Sequence, residues 1–152
     1  MNVLYAGFKG EHNSSFRLVS RLPGERCFLT NSFPGLERDI ARIRDEYGAV
    51  YLFGLDKSLR ESVRIEPCAA GEDGARYTTA DISALARRLG RWNIPCSTAA
   101  RTTRYLCNGA YYRLLERMSC PVVLLHIPSQ KNLSQELLAR LVAAFSYETD
   151  SK

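Results

Sequence analysis

The chain has 152 residues, 45% of them hydrophobic, and its 21 Lys and Arg against 16 Asp and Glu give a formal charge of +5 at pH 7. That length and apolar fraction fit one domain with its own core, expected to occupy residues 1–152, and no apolar run reaches the roughly 18 residues of a membrane span. The opening MNVLYAGFKG lacks the charged, apolar and small-residue zones of a secretory signal, so a cytoplasmic protein with no membrane partner is expected.

Val3 to Ala6 reads as a short buried strand closed by Gly7, and Asn13, Ser14 and Ser15 offer N-cap oxygens to a brief helix. Cys27 to Thr30 is a second strand. Leu36, Ile40, Ile43 and Tyr47 recur at helical spacing until Gly48 stops them. Ala49 to Gly54 (AVYLFG) is apolar throughout, as a fully buried strand is, whereas the strand pattern of Ser62 to Ala69 is interrupted by Pro67. Ala69 to Ala75 (AAGEDGA) reads as a turn or loop. Thr78 and Asp81 stand at capping-box spacing before an amphipathic helix carrying Ile82, Leu85, Ala86 and Leu89. A short strand is expected near Ile94 to Ser97 and a helix over Cys107 to Met118. Pro121 to Ile127 (PVVLLHI) is a buried strand, and Asn132 with Gln135 forms a second capping pattern before a Leu-rich helix. The terminal YETDSK is expected to fray.

Strands thus alternate with helices, and several strands are apolar on both faces. This predicts an α/β fold: a single-domain three-layer sandwich whose mostly parallel, twisted sheet is covered by helices on both sides. In such sheets the functional crevice lies beyond the carboxyl ends of the strands. The arginines Arg38, Arg42 and Arg44, and Arg87, Arg88 and Arg91, recur at helix-face spacing rather than in a run. They read as solvated helix surface, which disfavours a nucleic-acid partner.

Five cysteines, Cys27, Cys68, Cys96, Cys107 and Cys120, include no C-x-x-C pair. Their odd number and the absence of a secretion signal point to reduced thiols. Neither their spacing nor the two histidines suggest zinc, and no metal or cofactor is expected. Four read as small buried residues and one as chemical. Cys107 opens a helical pattern, where the helix dipole and unpaired N–H groups favour the thiolate that attacks carbonyl carbon. The same N–H groups suit a developing oxyanion. His126 ends the run Val122 to Leu125, and a neutral imidazole at a strand end is placed to take the thiol proton and return it to a leaving amine.

Tyr105-Leu106-Cys107-Asn108, followed by Tyr112 and Leu115, resembles the nucleophile motif of the pyroglutamyl peptidase I (pyrrolidone-carboxylate peptidase) family, and Leu125-His126-Ile127-Pro128 resembles its histidine motif. Arg64-Ile65-Glu66-Pro67-Cys68-Ala69 resembles the segment that carries the family's acid, and Val3-Leu4-Tyr5-Ala6-Gly7-Phe8, with Asn13 and Ser15, its opening strand and loop. Gly54-Leu55 resembles the start of a glycine-rich loop.

The resemblance runs from about residue 2 to about residue 146. It implies a cysteine peptidase that hydrolyses the amide after an N-terminal pyroglutamate, with Cys107 as nucleophile, His126 as base and Glu66 as the acid that orients the imidazole. It also implies a substrate pocket at Phe8, Asn13, Leu55, Tyr105 and Leu106, a peptide or small amide as partner, and homo-oligomers in many members.

Several departures mark a shortened, divergent member. The loop after Phe8 (Lys9-Gly10-Glu11-His12) lacks the family's second aromatic, Leu55 to Arg60 lacks the paired glycines, and Ala69 to Thr78 is trimmed. Two competing readings follow from them: the same three residues acting on another small amide or acyl substrate, or a catalytically degenerate binding module that holds nucleic acid on its basic surface.

Overall fold

Strand pleating decides which side chains meet in this protein. A computed structural model describes residues 2–102 and 105–147. Its main sheet is built from β1 (Val3–Phe8), β2 (Glu25–Leu29), β3 (Ala49–Asp56), β4 (Val63–Glu66), β7 (Cys96–Thr98) and β8 (Val122–Pro128), in the order β2-β1-β3-β8-β4-β7. A separate hairpin pairs β5 (Cys68–Gly71) with β6 (Gly74–Tyr77). All pairings in the main sheet are parallel except β4 against β8. The helices are α1 (Ser14–Val19), α2 (Phe33–Ala41), α3 (Ile82–Arg91), α4 (Leu106–Arg117) and α5 (Gln135–Ser146).

Two cores flank the sheet, as a three-layer sandwich requires. On one face Leu18 and Val19 of α1, Leu85 and Leu89 of α3, and Leu137, Leu138 and Leu141 of α5 pack on Tyr5, Phe53, Ile65, Val123, Leu125 and Ile127. On the other, Leu36 and Ile40 of α2 and Ala110, Tyr111 and Leu114 of α4 pack on Leu4, Ala6, Leu52, Val122 and Leu124. β8 is buried along its whole length, which explains its unbroken apolar run.

The elements fall close to their expected places, with informative differences. Pro67 does more than interrupt a strand: it separates β4, in the main sheet, from β5, in the hairpin. The segment expected as a plain loop forms that hairpin, turning at Glu72 and Asp73 with Gly74 at φ 106°. Such a short Ala/Gly-rich ladder has no apolar alternation to announce it. α2 starts earlier than its periodicity suggests and ends at Ala41, because Ser32 caps it and Pro34 occupies its first turn.

The caps also shift. Asp81, not Thr78, accepts from Ala84 N, and Ser134, not Asn132, accepts from Leu137 N, while Asn13 caps α1 as expected. The five cysteines are free thiols, all half-buried rather than buried. Expected fraying beyond Tyr147 lies outside the described residues. Among the described residues, no helix is long and apolar enough to cross a membrane.

Arg88 corrects the reading of its helix face as solvated: it is 6% exposed. Its Nε donates to Ala144 O at 3.1 Å and its Nη1 to Tyr51 Oη at 2.9 Å, and its guanidinium lies 4.6 Å from the centre of the Phe145 ring. Phe145 also meets Tyr51 and Phe53 edge-on at 5.1 and 5.2 Å. Replacing Phe145 with alanine removes the ring on which this cluster closes and leaves a cavity under α5. We expect Phe145→Ala to cost about 3–5 kcal/mol in urea unfolding; a loss under about 1 kcal/mol would show that this cluster is not central to the core.

Candidate active site

Period-two alternation brings the residues singled out in the sequence to one face. Val122 and Leu124 of β8 point to the α2/α4 layer and Val123, Leu125 and Ile127 to the opposite one, so His126 turns toward α4. On β4, Val63 and Ile65 belong to the opposite core, which sends Arg64 and Glu66 to the α4 side as well. Gly54 and Asp56 continue the same face of β3 after Val50 and Leu52. The antiparallel β4–β8 ladder sets Arg64 directly across from His126.

Cys107 is the second residue of α4, whose N-cap, Tyr105, contributes no side-chain hydrogen bond. The N-cap side chain therefore takes none of the first N–H groups of the helix. Two contacts hold α4 in place. Asn108 pairs with the Ala70 peptide through both ends of its amide, accepting at 2.9 Å and donating at 2.9 Å. Tyr111 Oη donates to Glu66 O at 2.7 Å. The helix that carries the sulfur is thus fastened to the strand that carries the carboxylate. Asn108 and Tyr111 were legible only as parts of a motif and a helical stripe, since their partners are backbone groups far along the chain.

Gly54 lets the sulfur in. A methyl group on its Cα would overlap Cys107 Sγ and lie 3.2 Å from Cys107 Cβ and 3.4 Å from His126 Cδ2. The thiol and the imidazole edge therefore flank a single point, over a residue without a side chain. The Leu55 and Cys107 N–H groups pull the thiol value down. His126 Nδ1 lies 2.8 Å from Glu66 Oε2, with the two side chains only 4% and 3% exposed. Sulfur, imidazole and carboxylate thus follow one another on one face of the sheet.

Burial sets the charge states. It pushes the Cys107 thiol up to about 11, against the pull of the Leu55 and Cys107 N–H groups, so the expectation that the helix N-terminus yields a resting thiolate is not met. Burial also raises the Glu66 carboxyl, but hydrogen bonds from His126 and Arg64 outweigh it and hold the group below its ordinary value. A carboxylate 2.8 Å from Nδ1 calls for a ring proton on that nitrogen, so that in the neutral tautomer this contact selects, Nε2 carries the lone pair.

The expected pocket residues Phe8, Asn13, Leu55, Tyr105 and Leu106 line one cleft of about 710 Å³ with Cys107 and His126, a size that suits a small ligand. Phe8 is 2% exposed, and its N–H donates to Ser15 Oγ at 2.9 Å, which fixes the turn into α1. Asn13 Oδ1 is taken up by Ser15 N and Oγ, so this side chain shapes the wall rather than reaching into the cleft.

Asn31, Asp56, Lys57 and Ser58 complete the lining; the last three lie in the Leu55 to Arg60 segment noted only for its missing glycines, and Asn31 carried no sequence signal. Among the described residues, no three His, Cys, Asp or Glu side chains are grouped to hold a metal ion.

Two outcomes follow. Gly54→Ala should displace Sγ and slow thiol acylation by about 100-fold; an unchanged rate would contradict the close approach. Burial raises the Asp56 carboxyl, but hydrogen bonds from Ser58 and Arg64 bring it down to about 2 from an ordinary 3.8. A lowered native value contributes stability above about pH 4, lost as pH falls through about 2. Asp56→Asn should therefore lower the urea midpoint near neutrality by the equivalent of about 1–2 kcal/mol, with the gap closing toward pH 2. A gap that persists at pH 2 would overturn this account.

No family model matches the sequence, and no curated protein is a significant match. Solved structures do match it. Pyrrolidone carboxyl peptidase from Thermus thermophilus superposes with a TM-score of 0.77 at 21% identity, over 94% of this chain and 99% of that one. The Fervidobacterium islandicum pyrrolidone carboxyl peptidase gives 0.77 at 19% identity, over 95% and 94%, and Bacillus amyloliquefaciens pyroglutamyl peptidase I gives 0.75 at 14%, over 95% and 96%. The chain has the fold of the pyrrolidone carboxyl peptidases.

Proposed function

We propose that this protein is a cysteine peptidase that removes pyroglutamate from peptide N-termini, with Cys107 as nucleophile, His126 as acid–base and Glu66 as its orienting carboxylate. The observation that carries this reading is the buried 2.8 Å contact between Glu66 Oε2 and His126 Nδ1, on the sheet face where Cys107 Sγ and the imidazole edge flank Gly54. The likeness to solved pyrrolidone carboxyl peptidases supports it.

The substrate's lactam enters the cleft against Phe8, with Leu55, Tyr105 and Leu106 around it; an uncharged ring suits a largely apolar wall. His126 Nε2 takes the proton from Cys107 Sγ as the sulfur attacks the carbonyl carbon. Charge then collects on the carbonyl oxygen. The Leu55 and Cys107 N–H groups, which pull the thiol value down, are the nearest donors for it. The imidazolium returns its proton to the departing amine nitrogen as the C–N bond breaks, leaving a thioester. Water attacks the thioester with His126 again as base, which frees pyroglutamate and restores the thiol. Every step uses protein groups and water alone.

Asn31 and Lys57 add an amide and a cation to the cleft lining, which favours a second reading in which the same residues act on a more polar acyl group. A panel of pyroglutamyl, other acyl and unblocked anilides distinguishes the two. Release from the pyroglutamyl substrate alone supports the first reading; turnover confined to another acyl group supports the second. Cys107→Ser and His126→Ala should each reduce kcat/KM by about 10⁴-fold or more, and Glu66→Gln by about 10²–10³-fold. Activity retained in folded Cys107→Ser would move the nucleophile elsewhere.

A further inference from the structure

Beside the imidazole lies a side chain with no part in the reaction just described. Arg64 Nε donates to Glu66 Oε2 at 2.7 Å, and its Nη2 donates to Asp56 Oδ2 at 2.8 Å. The same Nη2 stands 3.2 Å from His126 Nδ1. One carboxylate oxygen thus serves both the guanidinium and the imidazole. The arginine side chain is 19% exposed and its two carboxylate partners 24% and 3%, so solvent screens these charges poorly. The arrangement follows from the fold: Arg64 and Glu66 are two residues apart on β4, hence on one face, and the β4–β8 register sets Arg64 opposite His126.

The charges facing the imidazole are Glu66 and Arg64 from β4, Asp56 from the end of β3, the Cys107 thiol from α4, and the exposed Lys57 at the cleft wall. Without Arg64, a buried carboxylate and a half-buried one, Glu66 and Asp56, would draw a second proton onto the ring. A guanidinium keeps its charge throughout the working pH range, and at 3.2 Å from Nδ1 it opposes that proton directly. Nη2 also cannot donate to Nδ1 while that nitrogen's own proton points at Glu66, so the guanidinium is held by the two carboxylates and acts on the ring through its field.

We propose that Arg64 is a positioning residue for His126: it fixes the Glu66 carboxylate against Nδ1 and withholds the second proton from the ring, so that Cys107 and His126 rest as neutral thiol and neutral imidazole. The Sγ proton then passes to Nε2 only as the sulfur–carbon bond forms. This rests on the acid–base role given to His126 above, but its central readout does not need turnover.

The protein has only two histidines, and His12 is exposed and remote in charge environment, paired with Glu11 at 3.6 Å. Nitrogen-15 NMR of histidine-labelled protein therefore resolves His126 cleanly. The wild type should show the Nδ1–H tautomer. In Arg64→Met the His126 titration midpoint should rise by about one pH unit or more, and in Arg64→Lys it should stay close to wild type. The acidic limb of the pyroglutamyl kcat/KM profile should move with it.

An Nε2–H tautomer in the wild type, or a midpoint that holds or falls in folded Arg64→Met, overturns the proposal; so does a loss of rate with an unmoved acidic limb, the mark of a purely structural arginine. Should Arg64→Met fail to fold, Asp56→Asn decides. Removing that carboxylate leaves the guanidinium less neutralised and should lower the midpoint, whereas an unchanged or raised one overturns the proposal. If the NMR shifts appear as expected and no acyl anilide is cleaved, the peptidase reading fails and the electrostatic role of Arg64 stands.

Discussion

A carboxylate and an imidazole lie almost out of reach of water between a sheet and a helix, and each is tolerable there only because the other is present. Removing one partner of such a pair leaves an unmatched polar group whose desolvation costs several kcal/mol. Glu66 is the demanding member, since its charge needs donors. It finds them in His126 Nδ1 and Arg64 Nε, at 2.8 and 2.7 Å. The rest of the local structure serves this contact. β4 has to run against β8 so that its polar residues meet the histidine, and α4 has to stay where its first turn overhangs the ring. The first condition is met by the β4–β8 ladder, the second by side chains bound to backbone groups, Tyr111 to Glu66 O and Asn108 to the Ala70 peptide.

β4, with β7 parallel beside it, runs against the other four strands and gives the sheet a feature that a uniformly parallel arrangement would lack. In a parallel sheet, functional residues collect at the carboxyl ends of strands. β4 enters from the other end, so its first residues lie at the crevice and its last ones run under α4. Glu66 can therefore sit deep while Arg64, two residues earlier, reaches the cleft edge and Asp56. Pro67 then takes the chain out of the main sheet at once, since it has no N–H for a ladder. The hairpin that follows packs on Tyr112: a methyl group on Gly71 would overlap that ring. The Glu66 segment is thus a strand, a break and a clamp within a few residues.

Much of this was legible in the sequence, and the part that was not shares one physical character. The unbroken apolar runs of β3 and β8 announced central buried strands, and the helical periodicities placed α3, α4 and α5. Cys107, His126 and Glu66, read as a reactive set, do lie on one face of the sheet. What escaped reading was set by long-range pairing. The orientation of β4 depends on which neighbour it meets, and nothing in Val63–Glu66 states that. Arg88 looked like surface because its neighbours Arg87 and Arg91 are charged, yet Tyr51, Phe145 and the Ala144 carbonyl receive it in the core. Arg64 passed as a residue flanking a motif because its partners Asp56 and His126 lie 8 and 62 positions away.

The position of Cys107 shows how competing effects are decided by magnitude. A helix N-terminus stabilises an adjacent anion by about 0.3–1 kcal/mol, and up to about 2 kcal/mol in buried geometry. Each pH unit of thiol shift corresponds to about 1.4 kcal/mol, so moving the group from its ordinary 9.0 to about 11 reflects a burial penalty larger than the helix and the two N–H groups can repay. On the reading proposed above, with Cys107 as nucleophile, the sulfur does not wait as a thiolate and needs a neutral base close by at the moment of attack. On that reading, the half-buried sulfur is joined to the guanidinium beside the imidazole, because a ring already carrying two protons would have no lone pair to offer. The raised value of the thiol and its place beside the imidazole edge both follow from closing α4 down on a glycine.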